Sequence, residues 1–423
     1  MAVVPRREPS HRRRVLRVVL LVALTLATVE IALRVARPFS PALRRLLYDA
    51  SLPSDFARIT TLPGLLATTT LGWSPGVERD GFVLSSRSLP TAEYADAKAP
   101  GTTRLLALGD SFTFDRFPMS RHWTTLVASD LARRTGAPVE VVRFGVPGAG
   151  PQLELRLFEV EGARLAPDLV VLGFFVGNDF FDELGGGFAH GPADRVARAL
   201  RTWSFAWRLG SNLARVTAGV ETKRTPPIPS PDGSSGAAPS SGGHEVAGFA
   251  DAFDESAPTF TEDAFLDVQA ERATLFRRDA VLAGRLRLDR VVDTLELLDA
   301  AVRRAGGRLV VMIIPDELQV DGDVFARTVA HEGTRAEDHD LEWPQRALGE
   351  ALAERGIPAL DLLPASRRAS ADGPLYRPRN THWNGAGNRL AAAELARFLV
   401  SRRLVPAPPA GGGAGAEVSR PRP

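Results

Sequence analysis

The stretch Arg104-Leu-Leu-Ala-Leu-Gly109-Asp110-Ser111-Phe-Thr113 decides how the rest of the chain is read. Four apolar residues in a row are too few for a helix but enough for a buried strand, and Gly-Asp is turn chemistry. Ser111 therefore falls just beyond a strand's carboxyl end. In an open parallel sheet that is where ligands bind, in the crevice outside the strand ends. On the tripeptide alone, Ser111 is more simply a helix cap, since Ser and Asp are preferred there. Only partners elsewhere in the chain can reverse that order.

Working outward, the same grammar repeats. A helix over His122 to Thr135, with Leu126, Val127 and Leu131 at helical spacing, leads to a second strand, Val139 to Phe144. That strand ends in Gly145-Val-Pro-Gly148-Ala-Gly150. A helix from Pro151 to Leu165 follows, then a third strand, Asp168 to Phe175, ending in Gly177-Asn178-Asp179. Strands that are largely apolar, joined by helices, predict an α/β fold with a parallel sheet covered on both faces and right-handed crossovers. After an interruption, a helix around Leu286 to Arg304 shows one apolar face and leads to a fourth strand, Arg308 to Ile314. Asp316 to Trp343 reads as polar and irregular. A helix over Pro344 to Arg355, a fifth strand over Ile357 to Asp361 and a last helix over Ala386 to Arg402 complete the pattern.

The interruption, residues 180–280, holds possible helices over Val196 to Leu213 and Glu262 to Arg278. Between them, residues 226–243 form a Pro, Ser and Gly tract that cannot bury enough surface to order itself. Pro406 onward is a Pro, Gly and Ala tail of the same kind. The domain expected from this pattern spans 102–402, after irregular lead-in sequence over 37–101 and before a disordered tail over 403–423.

At the other end, a basic segment over residues 1–14 with Arg6, Arg7 and Arg12 to Arg14 precedes an apolar stretch, residues 15–36, interrupted by Arg17, Glu30 and Arg34. Arginine and glutamate can snorkel near helix ends, so the layout predicts an uncleaved transmembrane signal anchor, its basic head cytoplasmic and the domain on the extracytoplasmic side of a bacterial cytoplasmic membrane. Composition narrows the function classes. The 423 residues carry a formal net charge of +2 and no cysteine, which excludes disulfides, thiolate metal sites and a cysteine nucleophile. Lys98 and Lys223 are the only lysines, and outside the N-terminus no basic stripe interleaves with aromatics, which argues against a nucleic-acid partner. No His/Asp/Glu cluster has metal-ligand spacing and no phosphate-loop pattern is present, so neither a metal nor a nucleotide cofactor is expected.

What the strand ends share is chemistry. Ser111, the Gly145 to Gly150 turn and Gly177-Asn178-Asp179 fall along one edge of a parallel sheet, and His382 adds a base from the loop before the last helix. Acyl transfer through a serine needs this set: a hydroxyl, an imidazole to take its proton and donors for the oxyanion. Gly109-Asp110-Ser111, Gly148, Gly177-Asn178-Asp179 and His382 with Trp383, Asn384 and Gly385 resemble, in order, the motif blocks of the SGNH, or GDSL-type, hydrolase superfamily, and of its membrane-anchored acyl esterase and O-acetyltransferase members. The resemblance covers roughly Arg104 to Phe398 without the 180–280 insertion. It implies a flavodoxin-like three-layer α/β/α fold with a five-stranded parallel sheet, Ser111 as nucleophile and His382 as base. It also implies an oxyanion hole made by the N–H groups of Ser111 and Gly148 and the Asn178 side-chain amide. The implied substrate is a small acyl ester, above all O-acetyl on an envelope or secreted carbohydrate. The alternatives are an O-acetyltransferase or a weak, carbohydrate-binding protein of a polysaccharide-export system.

One position departs from the family. An Asp is expected three residues, or in a membrane-linked subset two residues, before the histidine, and those positions hold Arg379 and Asn380. Asn380 orients His382, or Asp372 swings in, or a Ser-His dyad suffices; Asn380 is the reading taken. In a serine triad, Asp to Asn costs about 10⁴-fold because it selects the wrong tautomer. Asp110 and Asp179 read as binders of turn amides, Asn384 as the cap of the last helix, Trp383 as a core anchor or the wall of a sugar site, and His122-Trp123 as structural.

Overall fold

The computed structural model describes residues 11–40, 43, 46, 47, 60–66, 75–182, 200, 204–217 and 253–405. The expected disordered tract at 226–243 and the tail from 406 lie outside the described residues. Two compact units emerge, one of Met1–Asp55 with Phe188–Pro226 and the other of Phe56–Gly187 with Pro227–Pro423.

The larger unit is built on five parallel strands, β1 (Thr103–Gly109), β2 (Val139–Gly145), β3 (Leu169–Phe175), β4 (Arg308–Ile314) and β5 (Ala359–Asp361). They lie in the order β2-β1-β3-β4-β5, all neighbours parallel. This is the doubly wound order whose switch point, where successive crossovers leave in opposite directions, falls between β1 and β3. The register sets Gly109 beside both Gly145 and Gly173, so the glycines that end β1 and β2 share one row with a glycine two residues before the end of β3. β1 and β3 are buried along their whole length, as strands covered on both faces must be.

The smaller unit contains α1 (His11–Ala36), which exposes Val18, Leu20, Leu21, Leu24 and Ile31. The expected span over 15–36 is not met: among the described residues no helix is long and apolar enough to cross a membrane. Two of the charges that shorten the apolar run, Glu30 and Arg34, have local partners. Glu30 accepts hydrogen bonds from the Ser204 hydroxyl (3.1 Å) and the N–H groups of Phe205 (3.1 Å) and Ala206 (3.0 Å). It thereby caps a helix over Phe205–Thr217; of the earlier part of the expected Val196 to Leu213 helix, only residues 200 and 204 are described. Arg34 lies over the Phe205 ring at 5.2 Å.

In the larger unit a one-turn helix α2 (Ser111–Phe114) leaves β1, followed by α3 (Trp123–Thr135). α4 (Pro151–Leu157) runs on through a π turn at Phe158–Gly162, so the expected helix to Leu165 is not regular throughout. α5 (Glu262–Ala273), α6 (Val281–Arg304), α7 (Gly322–Glu332), α8 (Trp343–Glu354) and α9 (Gly385–Ser401) follow. One sheet face meets α3 and α9 through Trp123, Val127, Leu131, Ala391, Leu395 and Leu399, with Trp383 buried among them. The other meets α4 and α6, with Leu157, Val291, Leu295 and Leu298 buried. Three layers result.

The stretch Asp316 to Trp343 is not irregular. Asp316 caps a short helix, Glu317–Val320, and Asp321 caps α7 by accepting from the N–H groups of Asp323 (2.9 Å) and Val324 (3.1 Å). Polar side chains dominate the stretch, so its apolar period is faint, and two aspartate caps carry the signal.

Candidate active site

Gly109 ends β1 at φ 156° and the chain turns at once into α2. Asp110 is its N-cap, the carboxylate accepting from the Phe112 N–H at 2.9 Å. Ser111 is thus the first helical residue, and its N–H is one of the first-turn donors with no intrahelical acceptor. α2 can sit this close to the sheet only because β2 ends in glycine: a Cβ on Gly145 would lie 2.1 Å from the Phe114 nitrogen.

His382 arrives from the loop ahead of α9. That loop is anchored on both sides, by the Arg377 N–H donating to the His382 carbonyl (2.9 Å) and by Asn384, whose Oδ1 accepts from the N–H groups of Ala386 (2.8 Å) and Gly387 (3.1 Å). The ring packs on Phe112, centroids 5.0 Å apart, and Phe112 in turn meets Phe175 and Trp383. Trp383 is therefore a core anchor, not the wall of a cleft. His382 Nε2 stands 2.8 Å from Ser111 Oγ.

The other ring nitrogen settles the tautomer. Nδ1 lies 2.9 Å from the main-chain carbonyl oxygen of Asn380 and 3.0 Å from its side-chain Oδ1. A carbonyl oxygen can only accept, so Nδ1 carries the proton and Nε2 keeps the lone pair that faces the serine hydroxyl. Asn380 thus takes the place of the expected carboxylate twice, through side chain and main chain. Asp372 is exposed in the turn Ser370–Asp372.

The charges around the pair are buried and mostly matched. Arg377 Nη2 donates to both oxygens of Asp115 at 2.8 and 2.9 Å. Arg272, from α5, pairs with Asp316 at 3.2 Å and lies over the Phe175 ring at 5.0 Å. Desolvation pulls His382 down to about 4; the Asp115 charge opposes this while Arg377 and Arg272 add to it. Asp110 moves the other way, to about 6, because burial outweighs its hydrogen bonds from Phe112 and the Asn178 side chain and the nearby Arg272 charge. Asp179 holds the β3 end by accepting from the Phe175 N–H at 2.8 Å.

The remaining sequence candidates line the same edge. Asn178 follows β3 with its side-chain amide against Asp110. Gly148 is exposed in the turn after β2 with φ 70°, and a Cβ there would meet open space. Asp115, Arg377, Arg272 and Thr259 belong to the site without any motif announcing them; each acts through a contact spanning tens to hundreds of residues. Among the described residues no group of three or more His, Asp or Glu could hold a metal ion.

Residues 268–415, which include His382 and Asn380, match the family model described as SGNH hydrolase-like domain, acetyltransferase AlgX. No curated protein sequence matches the chain. Among solved structures, the acetyl xylan esterase AlAXEase shares 13% identity over 69% of this chain and 97% of its own, with a TM-score of 0.35. TesA shares 12% over 72% and 100%, with a TM-score of 0.34. The acetylxylan esterase Axe2 of Geobacillus stearothermophilus shares 12% over 70% and 94%, with a TM-score of 0.33.

Proposed function

We propose that this chain, which belongs to the SGNH hydrolase superfamily, cleaves or transfers a small acyl group, most simply acetyl, carried as an ester on a carbohydrate. The single observation behind this reading is the Ser111–His382 pair, 2.8 Å apart, with the proton of His382 held on the far nitrogen.

In the reaction, His382 Nε2 takes the Ser111 hydroxyl proton as Oγ attacks the ester carbonyl carbon. The carbonyl electron pair moves onto oxygen, where the N–H groups of Ser111 and Gly148 and the Asn178 amide are the candidate donors. Collapse expels the carbohydrate alcohol, which takes the proton from His382, and leaves an acyl-serine. Water or a second sugar hydroxyl, deprotonated by His382, attacks that acyl-serine; the released Oγ recovers the proton. Hydrolase and transferase differ only in this last acceptor. The acetyltransferase in the matched family's description supports acetyl as the group moved. Carbohydrate as its carrier is our proposal.

Mass-spectrometric labelling with a serine-directed fluorophosphonate tests the nucleophile: Ser111 is modified in the folded protein and the Ser111→Ala variant is not. An unmodified Ser111 in folded protein sinks the catalytic reading and favours the carbohydrate-binding one, for which the missing carboxylate is the argument. Acetyl-ester turnover with and without added polysaccharide then separates hydrolysis from transfer, acetylated glycan marking transfer.

A further inference from the structure

The side chain of Asn380 has two chemically opposite ends, and something must decide which one faces His382. We infer that Thr259, in the strap that precedes α5, is a positioning residue that holds the amide in place, its hydroxyl accepting a hydrogen bond from the Asn380 amide nitrogen while Oδ1 is turned to His382 Nδ1. The inference rests on the reading of Ser111 and His382 as the reacting pair.

Three observations carry it. First, Asn380 Nδ2 donates to Thr259 Oγ1 while Asn380 Oδ1 lies 3.0 Å from His382 Nδ1. Because the main-chain carbonyl of Asn380 already commits Nδ1 as a donor, a flipped amide would set its NH₂ against an N–H; Oδ1 therefore faces His382, and the Thr259 hydroxyl is left to accept from Nδ2. Second, the turn that presents Asn380 is strained: Arg379 and Thr381, on either side, have φ of 46° and 66°, and for a β-branched threonine that region is a genuine outlier. Such backbone persists only where the surroundings over-determine it.

Third, the strap supplies those surroundings. The Phe260 N–H donates to the Arg379 carbonyl at 3.1 Å, and Glu262 faces the Arg379 guanidinium at 3.9 Å. Further along, the Glu255 carboxylate accepts from the Gly385 N–H (2.9 Å) and from Arg121 (2.6 Å). Thr259 stands in the middle of this ladder. Among the described residues of the strap, it is the one whose side chain bonds directly to the group behind His382, and it lies outside the matched stretch 268–415.

The test is made on the full chain. Thr259→Val keeps the shape and removes the acceptor; Thr259→Ser keeps the acceptor. The expected result for Thr259→Val is a kcat lowered about tenfold with KM little changed, a small share of the 10²- to 10⁴-fold that a positioned general base supplies. Thr259→Ser should restore the wild-type kcat. In an Asn380→Ala background, Thr259→Val should have no further effect, because there is no amide left to orient. The ¹⁵N and ¹H signals of the His382 ring, assigned by their loss in His382→Ala, should shift in Thr259→Val and stay in place in Thr259→Ser.

Unchanged kcat and ring signals in Thr259→Val overturn the inference. So does an equal kcat loss in the Asn380→Ala background, which would make Thr259 a mere fastening of the strap. If the wild-type chain shows neither turnover nor Ser111 labelling, the proposed function fails, yet the ring signals still report whether Thr259 governs the environment of His382.

Discussion

At the scale of single residues, Asn380 is the position where this site departs from the usual serine chemistry, and its main chain explains how the departure is borne. The heavy cost of Asn behind a catalytic histidine comes from the wrong imidazole tautomer. Here the Asn380 carbonyl, which can only accept, holds the proton on Nδ1. What Asn380 does not supply is negative charge to stabilise the imidazolium, consistent with His382 being drawn down to about 4. The sign follows directly. As the proposed base, His382 is free to take a proton above about pH 4 and is itself protonated below it, so kcat/KM should hold from neutrality down to about pH 5 and fall through 4. Asn380→Asp places a carboxylate within hydrogen-bond reach and should move this acid limb up by about one to three pH units, the effect expected of an adjacent opposite charge. It should also raise kcat about tenfold, since a base closer to the working pH transfers protons better. A pH profile of kcat/KM for both proteins checks the pair of shifts; a wild-type limb near 6.5 would contradict the account.

At the scale of elements, the serine is positioned by the contact of α2 with the end of β2. A Cβ at Gly145 would fall 2.1 Å from the Phe114 nitrogen and 2.4 Å from the Thr113 carbonyl carbon, main-chain atoms that cannot step aside as a side chain can. Gly145→Ala should therefore lower stability by about 3 kcal/mol, in the range of overpacked cores. A thermal melt beside Gly148→Ala, which faces open space and bears only the strain of its left-handed φ, gives the comparison: the first variant should melt well below the second. These elements were legible in the sequence to different degrees. β1, β3 and β4 could be read because each is an apolar run cut off by Gly or Pro, and the loop bearing His382 because Asn384-Gly385 opens a helix. The two helices directly after β4 could not, since Asp316 and Asp321 start them without an apolar stripe to follow. Thr259 was beyond reach for another reason: it is 121 residues from the amide it touches, and nothing in the composition of the strap marks one threonine among its neighbours.

Over the whole molecule, the carboxyl edge of the sheet concentrates buried charge. Glu317, at the start of the helix after β4, is raised to about 8, first by burial and then by the charges of Asp316 and Asp321, against the pull of Arg272 and Arg327. A carboxyl whose folded pKa exceeds its free value contributes stability that is complete below the free value, near 4.5, and is lost as pH rises through about 8. Glu317→Gln imitates the protonated form at every pH. It should leave the melting temperature nearly unchanged at pH 5 and raise it by about 5 °C at pH 9. Scanning calorimetry at the two pH values decides, and equal melting temperatures at pH 9 would show that Glu317 ionises freely in the fold.

The sheet order also fixes a timetable. Ser111 stands at the end of β1, but the base that faces it lies 271 residues later, on a loop secured only when α9 has packed against α3 and Asn388 has accepted the Trp123 N–H at 2.9 Å. During synthesis the nucleophile therefore leaves the ribosome long before its partner. A nascent or prematurely terminated chain carries Ser111 without His382 beside it, and the proposed chemistry requires the final turns of the domain.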